Sequence, residues 1–236
     1  DTERVNAFLL EVLRSSDPYD AGRELSLADA VDRASARVPE RFASRPDLAS
    51  RIHHALGYGM VSRNALGLAE RELGLARADA LEAFGEDAIQ TLRVDEAIAQ
   101  LRMAQGRDDA AEQAWQSLAV RMEALGLQDD PLYLIATNNL GNFYLAHEDY
   151  ARADRQFRRV QALPQPSVDA GFSPTDRAVL VANLAYTAHG LGDPGRADGL
   201  YREAIAELQR LAPDGSPELA MALNNHGHLR LEEGDQ

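Results

Sequence analysis

Five small residues, Gly57, Ala99, Gly141, Ala185 and Gly227, recur along this chain at separations of 42, 42, 44 and 42. Each sits in a segment whose apolar residues fall at helical spacing. Twelve positions after each of the first four stands a second small residue, Ala69, Ala111, Ala153 or Ala197. Four residues further on is a large one: Leu73, Trp115, Phe157 or Tyr201. Such a register requires helical hairpins. Two antiparallel helices joined by a short turn approach closely only where neither side chain is bulky, and the twelve-residue offset predicts that the paired small positions face each other. The large residues are expected to fill the space between successive hairpins. The best-formed copy runs from Thr137 to Ala153, around the polar corner His147-Glu148-Asp149.

Ahead of the register, Val5, Phe8, Leu9, Val12 and Leu13 make an apolar stripe that ends at Asp17-Pro18. A loop over 19–24 contains Gly22, and a second helix is expected from an N-cap at Ser26 toward Phe42, with Pro39 kinking or splitting it. These two helices, within residues 1–45, read as an N-terminal cap. Residues 46–236 read as the repeats, at about 46–85, 86–127, 130–164, 174–212 and a half repeat at 216–236. The second copy departs most, with Asp95 and Arg102 where apolar residues are expected. A loop from Pro164 to Pro174 accounts for the one longer spacing. The first residues, Asp1-Thr2-Glu3, lack an initiator Met and the last lie inside a helical pattern, so a fragment of a longer protein is expected.

Asn138-Asn139-Leu140-Gly141 and Leu223-Asn224-Asn225-His226-Gly227, set in this small–small–large pattern, resemble the tetratricopeptide repeat, in its longer kinesin-light-chain form. The resemblance covers roughly 46–236. It implies an all-α, right-handed superhelical solenoid that binds a protein or peptide in a concave groove lined by first helices. Its groove positions fall on Arg51, His54, Tyr58 and Val61 in the first copy and Arg93, Glu96, Gln100 and Met103 in the second. They fall on Asn138, Asn139 and Asn142 in the third, on Asn183, Tyr186 and His189 in the fourth, and on Met221, Asn224, Asn225 and His228 in the fifth. Asn is a mediocre helix former, so its repetition asks for a cause outside the helix. Its amide can grip an extended peptide backbone, or it can bond neighbouring helices; Asn139, Asn183 and Asn225 lean toward the second role, Asn138, Asn142 and Asn224 toward the first.

The segment from Val5 to Gly57, with Phe8-Leu9, Asp17-Pro18 and Gly22-Arg23-Glu24-Leu25, resembles the region that follows the transmembrane helix in bacterial receptor-like serine/threonine kinases with repeat sensor domains. That implies a periplasmic sensor, membrane-anchored through a span outside this chain, in which a groove ligand biases curvature or a homodimeric arrangement. The rival is a cytoplasmic interaction scaffold, or the repeat domain of a winged-helix transcriptional activator.

Composition narrows the alternatives. A net charge of −14 would repel a nucleic-acid backbone, so no nucleic-acid partner is expected. Every cationic side chain among Lys and Arg is Arg. The absence of Cys excludes disulfides, thiolate metal sites and a Cys nucleophile. No run approaches the roughly 20 apolar residues of a membrane span. No Gly-rich phosphate loop, His-Glu-x-x-His or Gly-x-Ser-x-Gly is present. His226 and His228, two apart, lie on different helix faces, the wrong geometry for a shared metal. No catalytic residue, metal site or cofactor is therefore expected.

Overall fold

The computed structural model describes residues 8, 27–163 and 173–234. The expected helix over Val5–Leu13 (apart from Phe8), the 19–24 loop, the Ser26 cap and the 164–172 loop lie outside the described residues. Ten α-helices and no strand occur among the described residues. They are α1 Leu27–Phe42, α2 Pro46–Val61, α3 Leu66–Phe84, α4 Ile89–Ala104, α5 Asp108–Ala124, α6 Pro131–Ala146, α7 Tyr150–Ala162, α8 Pro174–Gly190, α9 Pro194–Leu211 and α10 Pro217–Glu232. Pro39 lies inside α1 without splitting it. The chain divides into two compact units, Asp1–Ala114 and Trp115–Gln236. None of the described helices is long and apolar enough to cross a membrane.

The turns explain why the hairpins repeat so regularly. The residue seven after each first-helix small position has a left-handed backbone: Asn64 (φ 58°), Gly106 (69°), Glu148 (57°), Gly192 (77°) and Gly234 (81°). In four copies the next N–H closes the helix end, from Ala65 to the Met60 carbonyl (3.0 Å), Arg107 to Arg102 (2.9 Å), Asp149 to Tyr144 (2.9 Å) and Asp193 to Ala188 (2.9 Å). This is the six-residue closure of a Schellman turn, whose left-handed residue is ordinarily glycine. The following helix is then capped by a side chain where one is available. Asp149 accepts from the Arg152 N–H, and Asp193 from that of Arg196. Ser173 and Asp176 cap α8 reciprocally. Glu148 is the one copy with a bulky charged residue at the left-handed position. Glu148→Gly is therefore expected to raise stability by about 1 kcal/mol, the cost of a β-carbon in that conformation, read as a higher urea midpoint at unchanged slope.

Core packing adds a second partner to the small positions. A β-carbon added at Gly57 would sit 2.7 Å from Leu73 Cγ, and one at Gly141 would sit 2.6 Å from Phe157 Cε1. At Gly57 and Gly141 the missing β-carbon thus makes room for the large residue sixteen positions on, while in the fourth copy Ala185 shares one buried cluster with both Ala197, twelve on, and Tyr201, sixteen on. The large side chain projects back across its hairpin and needs the room itself. The second-helix alanines, all fully buried, also let the next first helix in: Ala69 clusters with Ala97 and Leu101 as well as Met60, and Ala197 with Leu229 as well as Ala185 and Ala188. The large residues also reach the following hairpin as expected. Leu73 shares its cluster with Leu101, the Trp115 and Phe143 rings lie 6.0 Å apart, and Tyr201 lies 5.5 Å from the His226 ring. The irregular second copy is satisfied by polar pairing. Asp95 accepts from Arg77 Nε at 2.7 Å, and Arg102 reaches the Ala110 carbonyl at 3.5 Å.

The α1 helix is joined to the first hairpin by apolar and ionic contacts. Phe8 is fully buried edge-on against Phe42 (5.6 Å, 87°), in a cluster with Ala34, Val38, Leu48 and Ile52. Beside it, Glu72, fully buried, bonds His53 Nδ1 at 2.7 Å and Arg71 at 2.9 Å. Arg71 continues to Asp32 of α1 at 2.6 Å. Burial alone would raise the Glu72 carboxyl, but hydrogen bonds from His53, Arg71 and Ser35 outweigh it and hold the group below the usual carboxylate range.

Candidate functional site

Within the unit from Trp115 onward, α7, α8 and α10 enclose a hollow of about 490 Å³ lined by Tyr150, Tyr186, His189, Gly190, Asn224, Asn225, His228 and Glu232. Helical geometry brings them together. Asn224, His228 and Glu232 follow at four-residue steps on one face of α10, and Tyr186, His189 and Gly190 share the last turns of α8. Tyr150 enters from the first position of α7. Its ring lies flat on Gly190, where a β-carbon would stand 2.6 Å from Cγ and both Cδ atoms. The Tyr150 and Tyr186 ring centroids are 6.2 Å apart at 57°, a two-walled aromatic corner. Burial, then the neighbouring Tyr186 and Glu148, push the Tyr150 phenol above its ordinary range, so it remains a neutral donor. Across the hollow, His189 Nε2 is 2.8 Å from Glu232 Oε2.

A second hollow, of about 360 Å³, lies in the unit ending at Ala114, between α2, the end of α3 and the start of α4. Ser50, Arg51, His54, Phe84, Ile89, Gln90, Arg93 and Val94 line it. Burial first, and then the Arg93 charge, lower the His54 pKa, which favours a neutral imidazole there. The Tyr58 ring lies 6.2 Å from that of His54, with Tyr58 exposed.

The groove positions taken from the sequence distribute unevenly. Tyr186, His189, Asn224, Asn225 and His228 meet in the first hollow, and Arg51, His54 and Arg93 in the second. Asn142 and Asn183 bond each other at 2.9 Å, joining α6 to α8. That bond engages Asn183, expected to lean toward neighbouring helices, and Asn142, expected to lean toward a ligand, alike. Gln100 donates to both oxygens of the buried Glu96 carboxylate, each at 2.9 Å. Asn138 and Asn139 are half-buried, and Met103, like Met221, is exposed. Reasoning from sequence missed Tyr150, Gly190 and Glu232. The groove pattern covered only five positions per first helix; Gly190 and Glu232 lie one residue beyond it, and Tyr150 lies on a second helix. A glycine closing α8 directly after His189 and one turn after Tyr186 was the available signal for Gly190.

Among the described residues, no group of three or more His, Asp or Glu side chains is arranged to hold a metal ion. The polar groups of the first hollow are amides, phenols and imidazoles suited to hydrogen bonding and to contact with a ligand's apolar parts.

No family profile matches the chain, and no curated protein does. Solved structures do. BtubC (BKLC) from P. vanneervenii superposes with a TM-score of 0.69 at 21% identity, covering 92% of this chain and 85% of its own. A kinesin light chain from Podosopora anserina with nearly identical TPR-like repeats matches at 0.61 and 15% identity, covering 80% of this chain and 89% of its own. A point variant of that protein matches at 0.63 and 16% identity, with the same coverage of each chain. The chain therefore has a tetratricopeptide-like all-α repeat fold.

Proposed function

We propose that this chain is a protein-binding module that takes an extended peptide segment in the hollow between α7, α8 and α10. The observation that carries this reading is the convergence there of Tyr186 and His189 from one first helix with Asn224, Asn225 and His228 from the next. Asn225 is half-buried and Asn224 exposed, so their amides can serve a ligand backbone while the two tyrosines supply apolar contact. The volume lies within the range of small-ligand and side-chain pockets. Peptides selected on the 236-residue chain from a random library test it. The triple variant Tyr186→Ala, Asn224→Ala, Asn225→Ala is expected to weaken their binding by at least about ten-fold, with helicity unchanged. Undiminished binding would exclude this hollow.

The finer reading is a periplasmic sensor domain of a membrane-anchored bacterial serine/threonine kinase, supported by the resemblance of Val5–Gly57 to the juxtamembrane segment of such receptors. In it, a bound ligand favours one arrangement of the repeats, or a homodimer, and so biases the segment leading to the membrane. A topology reporter fused after Gln236 in the parent protein tests it: periplasmic signal agrees, cytoplasmic signal refutes. The likeness to a protein named a kinesin light chain favours a second reading, a cytoplasmic interaction scaffold, which the cytoplasmic outcome would support.

A further inference from the structure

We infer that the hollow between α7, α8 and α10 selects a cationic side chain, that of Arg or Lys, on its peptide; this rests on the reading of that hollow as a ligand site. The Tyr150 and Tyr186 rings stand as adjoining walls, with centroids 6.2 Å apart and planes at 57°. Gly190 holds the first wall in place because only a residue without a β-carbon leaves room for the ring. A guanidinium or ammonium group is attracted to the faces of such rings. The one acidic group lining the hollow, Glu232, gives Oε2 to His189 at 2.8 Å, while its Oε1 makes no hydrogen bond among the described residues. That oxygen can accept from a ligand cation. No Arg lines the hollow, in contrast to the Arg51–Arg93 hollow of the other unit, so no guanidinium of this chain competes with the incoming group there. The net charge of −14 adds a long-range bias toward cationic partners. Asn224, Asn225 and His228 remain for the peptide backbone on either side of the anchored residue.

The test uses two small probes of one shape, Nα-acetyl-arginine N-methylamide and its neutral citrulline counterpart. Each is titrated into the 236-residue chain at neutral pH and followed by the NMR ring signals of Tyr150 and Tyr186. The arginine probe is expected to shift both rings and to bind about ten-fold tighter than the citrulline probe. Glu232→Gln should reduce that preference to about two-fold, and Tyr186→Leu should weaken arginine binding about five-fold. Equal binding of the two probes, a preference untouched by Glu232→Gln, or unmoved ring signals at millimolar probe would each overturn the inference. None of those results bears on library peptides gripped through their backbones, so loss of the cationic preference and loss of peptide binding are separately visible.

Discussion

Phe157→Ala is expected to destabilise the unit from Trp115 onward by about 3–5 kcal/mol, as a shift in the urea midpoint. The Phe157 side chain is fully buried, and its ring edge occupies the space left by the missing β-carbon of Gly141. Truncation removes that contact and leaves a cavity that the α6–α7 hairpin cannot close without moving both helices. The reverse change, Gly141→Ala, forces a β-carbon to 2.6 Å from the ring and should cost about 1–3 kcal/mol. In the double variant the new methyl meets no ring, so the two losses should fall short of additive by about 1 kcal/mol or more. Strict additivity would show that the two residues do not share one space.

His53→Ala is expected to cost about 3–5 kcal/mol, because it withdraws one of the donors from a carboxylate with no solvent exposure. The pH dependence identifies the cause. The Glu72 pKa is lower folded than unfolded, so its contribution is fully present above the unfolded value, near 4.3, and is lost as pH falls through the folded one. Without His53 the folded pKa rises, and that loss begins at a higher pH in acid denaturation followed by circular dichroism. Glu72→Gln should remove this acid-side component altogether. An acid midpoint for His53→Ala identical to that of the parent would mean that the pair does not support the carboxylate. Asp32, through Arg71, ties the same network to α1, so amide exchange in α1 should quicken in the His53 variant.

The small–small–large register was legible because close helix approach permits few residue types, and those types recur visibly. All nine of its small positions lie within helices. Which small residue meets which partner was not legible. Spacing reports that a position must be small, but side-chain length and direction decide what fills the gap, as where the Phe157 ring reaches back to Gly141. The left-handed turn residue was hidden by its variety: Asn64 and Glu148 stand where glycine serves in the other copies. Among the groove asparagines, sequence could not separate a helix bridge from a ligand contact, because both use the same amide. Asn142 and Asn183 are distinguished from Asn224 only by a partner across the α6–α8 interface. Tyr150 and Glu232 entered the hollow from a second-helix start and a first-helix end, positions that a groove pattern built on first-helix centres does not reach.

Peptide binding in the α7–α8–α10 hollow is tested by an amide and ring chemical-shift map of the chain, titrated with a library-selected peptide. The largest changes are expected at Tyr150, Tyr186, His189, Asn224, Asn225 and His228, and little at exposed apolar positions on second helices such as Leu75 and Val120. Changes centred on Leu75 and Val120, with the α7–α8–α10 hollow undisturbed, would contradict binding there.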